Sequence, residues 1–146
     1  MKYYIGKIKS LKENQIFVFG SNTQGRHGKG SALFALKKFG AIYGQAEGLQ
    51  GQSYAIITKD LTVPKSMQEK SVPQDKIISQ IKKLYEFAES NKDKLFFVAY
   101  TGKGKNLNGY SPKEMASMFN SYSIPSNIVF EISFANLIHN ENKLNL

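Results

Sequence analysis

Residues Gly25, Arg26, His27, Gly28, Lys29, Gly30 and Ser31 place three glycines, three basic side chains and a hydroxyl in seven consecutive positions. Glycine admits positive φ and lets a ligand come close to the backbone. Cations and free N–H groups at the start of a following helix attract an anion, most often a phosphate. Two phosphate motifs are excluded. Walker A ends in Gly-Lys-Ser/Thr, whereas the order here is Lys29-Gly30-Ser31, and Leu33 stands where a dinucleotide fingerprint needs its third glycine. Arg26 is by geometry a phosphate ligand. His27 could act as a general base, donate to a phosphate, or only orient the loop. A second stretch of the same character is Thr101-Gly102-Lys103-Gly104-Lys105-Asn106-Leu107-Asn108-Gly109-Tyr110. Lys59, beside Asp60, closes a third apolar run.

These residues need elements to position them. Ile16–Phe19 is an apolar run bounded by Gly20, the pattern of a buried strand. Ser31–Phe39 follows as a helix, with Ala32, Phe34, Ala35 and Phe39 facing a core and Gly40 as its natural stop. Tyr3–Ile8, Tyr54–Thr58, Leu95–Tyr100 and Ile128–Ile132 read as further strands. The glycine-rich segment 41–53 reads as a long loop. Ile77, Ile78, Ile81, Leu84, Tyr85 and Ala88 repeat at helical spacing. Ser111-Pro112-Lys113-Glu114 reads as an N-cap, a first-turn proline and an acidic first turn, opening a helix to about Phe119. The tail Asn140–Leu146 is expected to be polar and frayed. Strands alternating with helices predict an α/β sandwich around a largely parallel sheet, as one domain over residues 1–146 with its core in about 3–132. Ligands of such sheets sit beyond the carboxyl ends of the strands. Both glycine loops and Lys59 follow strands, so they are expected to meet there.

The net charge of +9 asks for an anionic partner. It is uneven: residues 1–60 hold nine Lys/Arg against Glu13, Glu47 and Asp60, and residues 61–146 hold eleven against eight acids. The excess lies with the first glycine loop, which suits a phosphate-bearing ligand and also nucleic acid. With no cysteine and two histidines, no disulfide, thiolate nucleophile or zinc site is expected, nor any cofactor. Without a long apolar run or a secretory leader, a cytoplasmic protein with no membrane partner is expected.

Ile5-Gly6-Lys7-Ile8, Gln15–Phe19, Gly20-Ser21-Asn22 and the first glycine loop resemble the opening of a macro domain. Thr101-Gly102 through Gly109-Tyr110-Ser111-Pro112 is similar to that family's other phosphate loop. Gly-Arg-His-Gly-Lys-Gly and Tyr-Gly-Gln-x-Glu-Gly-Leu-Gln-Gly look closer still to small bacterial and phage macro-like proteins. The resemblance spans about residues 3–132. It implies a three-layer α/β/α fold that binds ADP-ribose or a related nucleotide, free or attached to a macromolecule, between the two loops. It further implies hydrolysis of an ADP-ribosyl linkage or of ADP-ribose 1″-phosphate, or simple sequestration of the nucleotide. By position, Asn22 matches the asparagine that holds the distal ribose, and Gly28, Lys29 and Gly30 match the first diphosphate loop. Gly102 to Gly109 match the second, and Tyr110 matches an aromatic near the ribose. Ile57-Thr58-Lys59 resembles the Thr-Lys of terminal ADP-ribose glycohydrolases and DarG-type antitoxins, whose lysine attacks the opened ribose. Those enzymes also use an acid from the second loop, which here offers Asn106 and Asn108 and no Asp or Glu, so the acid is missing or is supplied by Glu47 or Asp60. Lys7 stands where the family has an adenine-reading aspartate. It has three donors and no acceptor. Adenine is then read by another group, or the base is not adenine, or Lys7 meets an extra phosphate.

Overall fold

The computed structural model describes residues 1–144. Within them, strands β1 (Lys2–Tyr4), β2 (Gln15–Asn22), β3 (Gly48–Gln50), β4 (Ser53–Lys59), β5 (Leu95–Val98) and β6 (Ile128–Glu131) form one mixed sheet. Its order is β1-β6-β5-β2-β4-β3. All neighbours pair in parallel except β3, which lies antiparallel to β4. Four α-helices complete the described chain: α1 (Gly30–Lys38), α2 (Gln74–Glu89), α3 (Pro112–Phe119) and α4 (Ile132–Leu144). No helix among the described residues is long and apolar enough to cross a membrane.

The apolar residues of the strands divide by the period of two that a pleated strand imposes. On β2, Ile16 and Val18 join Tyr54, Ile56, Phe96, Val98, Ile128 and Phe130 beneath α2, α3 and α4. Phe17, Phe19 and Ala55 join Ala32, Ala35 and Phe39 beneath α1. Under α1, Phe17 packs 5.1 Å from Phe39 and 5.8 Å from Phe34, measured between ring centroids. On the other face Phe119 is fully buried among Tyr85, Tyr100, Phe130 and Phe134. Both cores anchor β2, the strand that leads into the first glycine loop.

The expected helix at Ser111 is present in detail. The Ser111 hydroxyl accepts the Glu114 N–H at 3.0 Å, and a Glu114 carboxylate oxygen accepts the Ser111 N–H at 2.9 Å. Two otherwise orphaned donors are thus satisfied reciprocally. Ser111→Ala is expected to cost about 1 kcal/mol, a fall of about 3 °C in melting temperature by circular dichroism.

Four expectations are corrected. The strand expected over Tyr3–Ile8 ends at Tyr4, because Gly6 turns the chain at φ +86°. The segment 41–53 is not wholly loop: Gly48–Gln50 pairs with β4 as an edge strand. Strand β2 runs through Gly20 to Asn22 rather than stopping at the glycine. The tail expected to fray from Asn140 belongs instead to α4, which buries Phe134, Ala135 and Ile138 against the sheet. Residues 145–146 lie outside the described residues.

Candidate functional site

Parallel pairing brings the carboxyl ends of β5, β2 and β4 to one edge in that order. The two glycine loops and Lys59 leave from that edge and face one another. They enclose two adjoining cavities. The central one, about 260 Å³, lies between the first turn of α1 (Gly30, Ser31, Ala32) and the second loop (Thr101, Lys103, Gly104, Lys105, Asn106). The outer one, about 310 Å³, is lined by Ser21, Asn22, Arg26, Gly28, Lys59, Lys65 and Gln68. Gly20, Lys29, Ala32, Thr58, Leu107 and Asn108 line both. The loops meet at Gly30 and Leu107: a Cβ at Gly30 would stand 3.2 Å from the Leu107 side chain.

Six cations line this cleft: Arg26, Lys29, Lys59, Lys65, Lys103 and Lys105. Among the described residues, no aspartate or glutamate lines either cavity. None of the six has an ion-pair partner among the described residues, whose salt bridges are Lys70–Glu114, Lys83–Glu47 and Lys92–Glu89. The helix end adds to this field. Its N-cap is Lys29, no side chain caps it, and its first turn holds no acid. Whereas α3 satisfies its first N–H groups from within, α1 presents its own to the cleft.

The floor is built by exclusion of side chains. A Cβ at Gly20 would collide with the Tyr100 hydroxyl and stand 3.2 Å from Thr58 Oγ1. Burial pushes the Tyr100 phenol up to about 12, against the opposing effect of hydrogen bonds with Thr58 and Asn108. It therefore remains a protonated donor at neutral pH. Tyr100 is a floor residue that no motif marks, its one trace in the sequence being its place at the end of an apolar run, and Thr58 stands beside it as the neighbour of Lys59.

Asn22, expected to hold a ribose, is engaged within its own loop. Its Oδ1 accepts the N–H groups of Arg26 (2.9 Å) and Gln24 (3.2 Å), and its Nδ2 donates to Arg26 O (2.8 Å). It lines the outer cavity as the clamp that shapes it. Asn108 does the same in the second loop, accepting the Tyr110 N–H at 2.8 Å.

Several expected site residues lie elsewhere. His27 is fully buried and absent from the cleft lining. Its Nε2 is 3.1 Å from both Gln45 O and Gln50 Oε1, two acceptors, so Nε2 carries a hydrogen, and Nδ1 has no hydrogen-bond partner among the described residues. The ring packs edge-on against Phe19. These contacts tie the first glycine loop to Gln45 and to Gln50 of β3. Tyr110 is buried in the core with its hydroxyl donating to Val72 O at 2.7 Å, and it lines neither cavity. Gly109 seats against Glu69 and Lys70, outside the lining. Gly102 is also outside it. Its N–H donates to Ser133 Oγ at 2.8 Å, and that hydroxyl donates to the Glu131 carboxylate, pinning the second loop to the start of α4.

Neither acid proposed for catalysis reaches the cleft. Glu47 accepts from Gln80 Nε2 at 2.7 Å and pairs with Lys83, both on α2. Asp60 turns back to accept the Thr62 hydroxyl and N–H, and the Thr62 hydroxyl, foremost, holds its carboxyl below the usual range.

Compared with models of protein families, with curated proteins and with solved structures, the chain finds no match.

Proposed function

We propose that this chain is a macro-domain-like three-layer α/β/α protein. It holds a nucleotide of the ADP-ribose type by its diphosphate and does not hydrolyse it. The observation that carries this reading is the cleft at the uncapped start of α1, where, among the described residues, six cations stand without an ion-pair partner and no carboxylate enters the lining. Such a cleft attracts and orients phosphate oxygens through charge-assisted hydrogen bonds, the stronger class of hydrogen bond. Hydrolysis asks for more. A group must take a proton from water or a nucleophile and return one to the leaving group. Asn22 is consumed by its loop, His27 is buried, and Glu47 and Asp60 face other partners. Lys59 is then a ligand for the anion rather than a nucleophile, since nothing beside it in the cleft handles the proton.

Calorimetric titration with ADP-ribose, ADP-ribose 1″-phosphate and AMP tests the reading. Micromolar binding of the two diphosphates, with AMP much weaker, is expected. A time course with each ligand should show no product. Turnover that disappears in Lys59→Ala would overturn the non-catalytic reading, and absence of any binding would overturn the ligand class. Binding to the cleft is expected to weaken only modestly with salt, whereas a nucleic-acid interface of the same charge would lose affinity steeply.

A further inference from the structure

A third cavity of about 460 Å³ adjoins the central one, sharing Gly30, Ser31, Ala99 and Thr101 with it. Its character is different. Tyr4, Ile8, Phe17 and Phe34 supply apolar and aromatic walls, and among the described residues Lys7 is the one charged residue lining it. Lys7 is exposed and has no hydrogen-bond or ion-pair partner among the described residues. The Tyr4 hydroxyl is occupied, donating to Val98 O at 2.8 Å. The Thr101 hydroxyl donates to Lys103 O at 3.0 Å.

An apolar chamber beside a phosphate cradle accommodates the ring of a nucleotide. The charged group at its edge then selects among rings. An ammonium offers three donors and no acceptor. The N7/O6 edge of an oxopurine presents two acceptors, whereas the corresponding edge of adenine presents one acceptor and an amino donor. A lysine facing that amino group leaves donors opposed to donors. We infer that this chamber takes an oxopurine, so that among ligands held by their diphosphate the guanine form is preferred to the adenine form that ADP-ribose carries, with Lys7 as the discriminating residue. This rests on the reading of the central cavity as the diphosphate site.

The test is calorimetric titration of the whole chain with GDP, ADP, adenosine 2′,5′-bisphosphate and inorganic pyrophosphate. GDP is expected to bind about tenfold tighter than ADP, the scale of one well-made polar contact to a base edge. Lys7→Gln should bring the two nucleotides level and leave pyrophosphate unaffected, and Lys7→Asp should reverse the preference. Melting curves should be unchanged in both variants, because Lys7 touches nothing that folding needs. Equal binding of GDP and ADP by the wild type, or a preference that survives Lys7→Gln, overturns the inference while pyrophosphate binding leaves the diphosphate site standing. Tightest binding of the bisphosphate, lost in Lys7→Gln, overturns it in favour of a phosphate at Lys7. Failure of pyrophosphate and both diphosphates to bind overturns the diphosphate site and this inference with it.

Discussion

Gly25→Ala is expected to destabilise the protein by about 3 kcal/mol and to lower its melting temperature by about 10 °C. Two effects add. Gly25 sits at φ +62°, where any side chain strains the backbone by about 1 kcal/mol. A Cβ there would also stand 2.5 Å from Gly44 C and 2.7 Å from Gln45 N. Those are backbone atoms, so no rotamer change relieves the collision, and overpacking of this kind costs roughly 1–3 kcal/mol. The Gly44 N–H donates to Gly25 O at 2.9 Å and His27 reaches Gln45 O, so the first loop and the segment after α1 would part together. Gly28→Ala is the matched control. Gly28 has open space around its Cβ position and is not in the left-handed region. Its variant should melt with the wild type in differential scanning calorimetry. Equal melting of the two variants would show that the 41–47 segment is not seated on the loop.

The double charge reversal Lys29→Glu with Lys103→Glu is expected to weaken diphosphate binding on the order of 100-fold or more. A unit charge about 4 Å away contributes roughly 1 kcal/mol in water and up to about 4 near a protein surface, and reversal doubles the difference. Both lysines line the central cavity, from opposite loops, and neither has an ion-pair partner among the described residues. Stability should hold within about 0.5 kcal/mol, as for most exposed positions without partners. Lys37→Glu with Lys38→Glu makes the same change in net charge at the far end of α1. It should leave affinity nearly intact, since exposed charges beyond about 10 Å are screened at ordinary salt. Equal losses from both pairs would mean that overall charge, rather than the cleft, attracts the ligand.

Much of this arrangement was legible before any coordinates. The central strands are short apolar runs stopped by polar or glycine residues, and each glycine loop follows one. Their meeting at one edge therefore depends only on parallel pairing. Ser111, Pro112 and Glu114 announce α3 because capping is local chemistry, complete within four residues. What could not be read depends on distant partners. Nothing near His27 reveals that Gln45 and Gln50 will take its ring, and nothing near Tyr110 points to Val72. Glu47 and Asp60 looked free in sequence, yet Lys83 and Thr62 claim them. The start of α4 was hidden because its capping acid, Glu131, is itself the last residue of β6. Three-residue β3 carries too little pattern to register, and its identity comes from β4 beside it.

The strand order also grades the cleft from firm to yielding. The floor rests on β5, β2 and β4, each hydrogen-bonded on both sides. The Lys7 wall of the third chamber follows instead from β1, three residues at the margin of the sheet, bonded on one side only and joined to β6, which lies more than a hundred residues away in the chain. Local opening begins where few bonds must break. Among the strands, amide exchange should thus be faster around Tyr4 than around Phe19 and Ile56. The phosphate end of the cleft is then a fixed template, and the end that distinguishes one ring from another can reshape around what enters it.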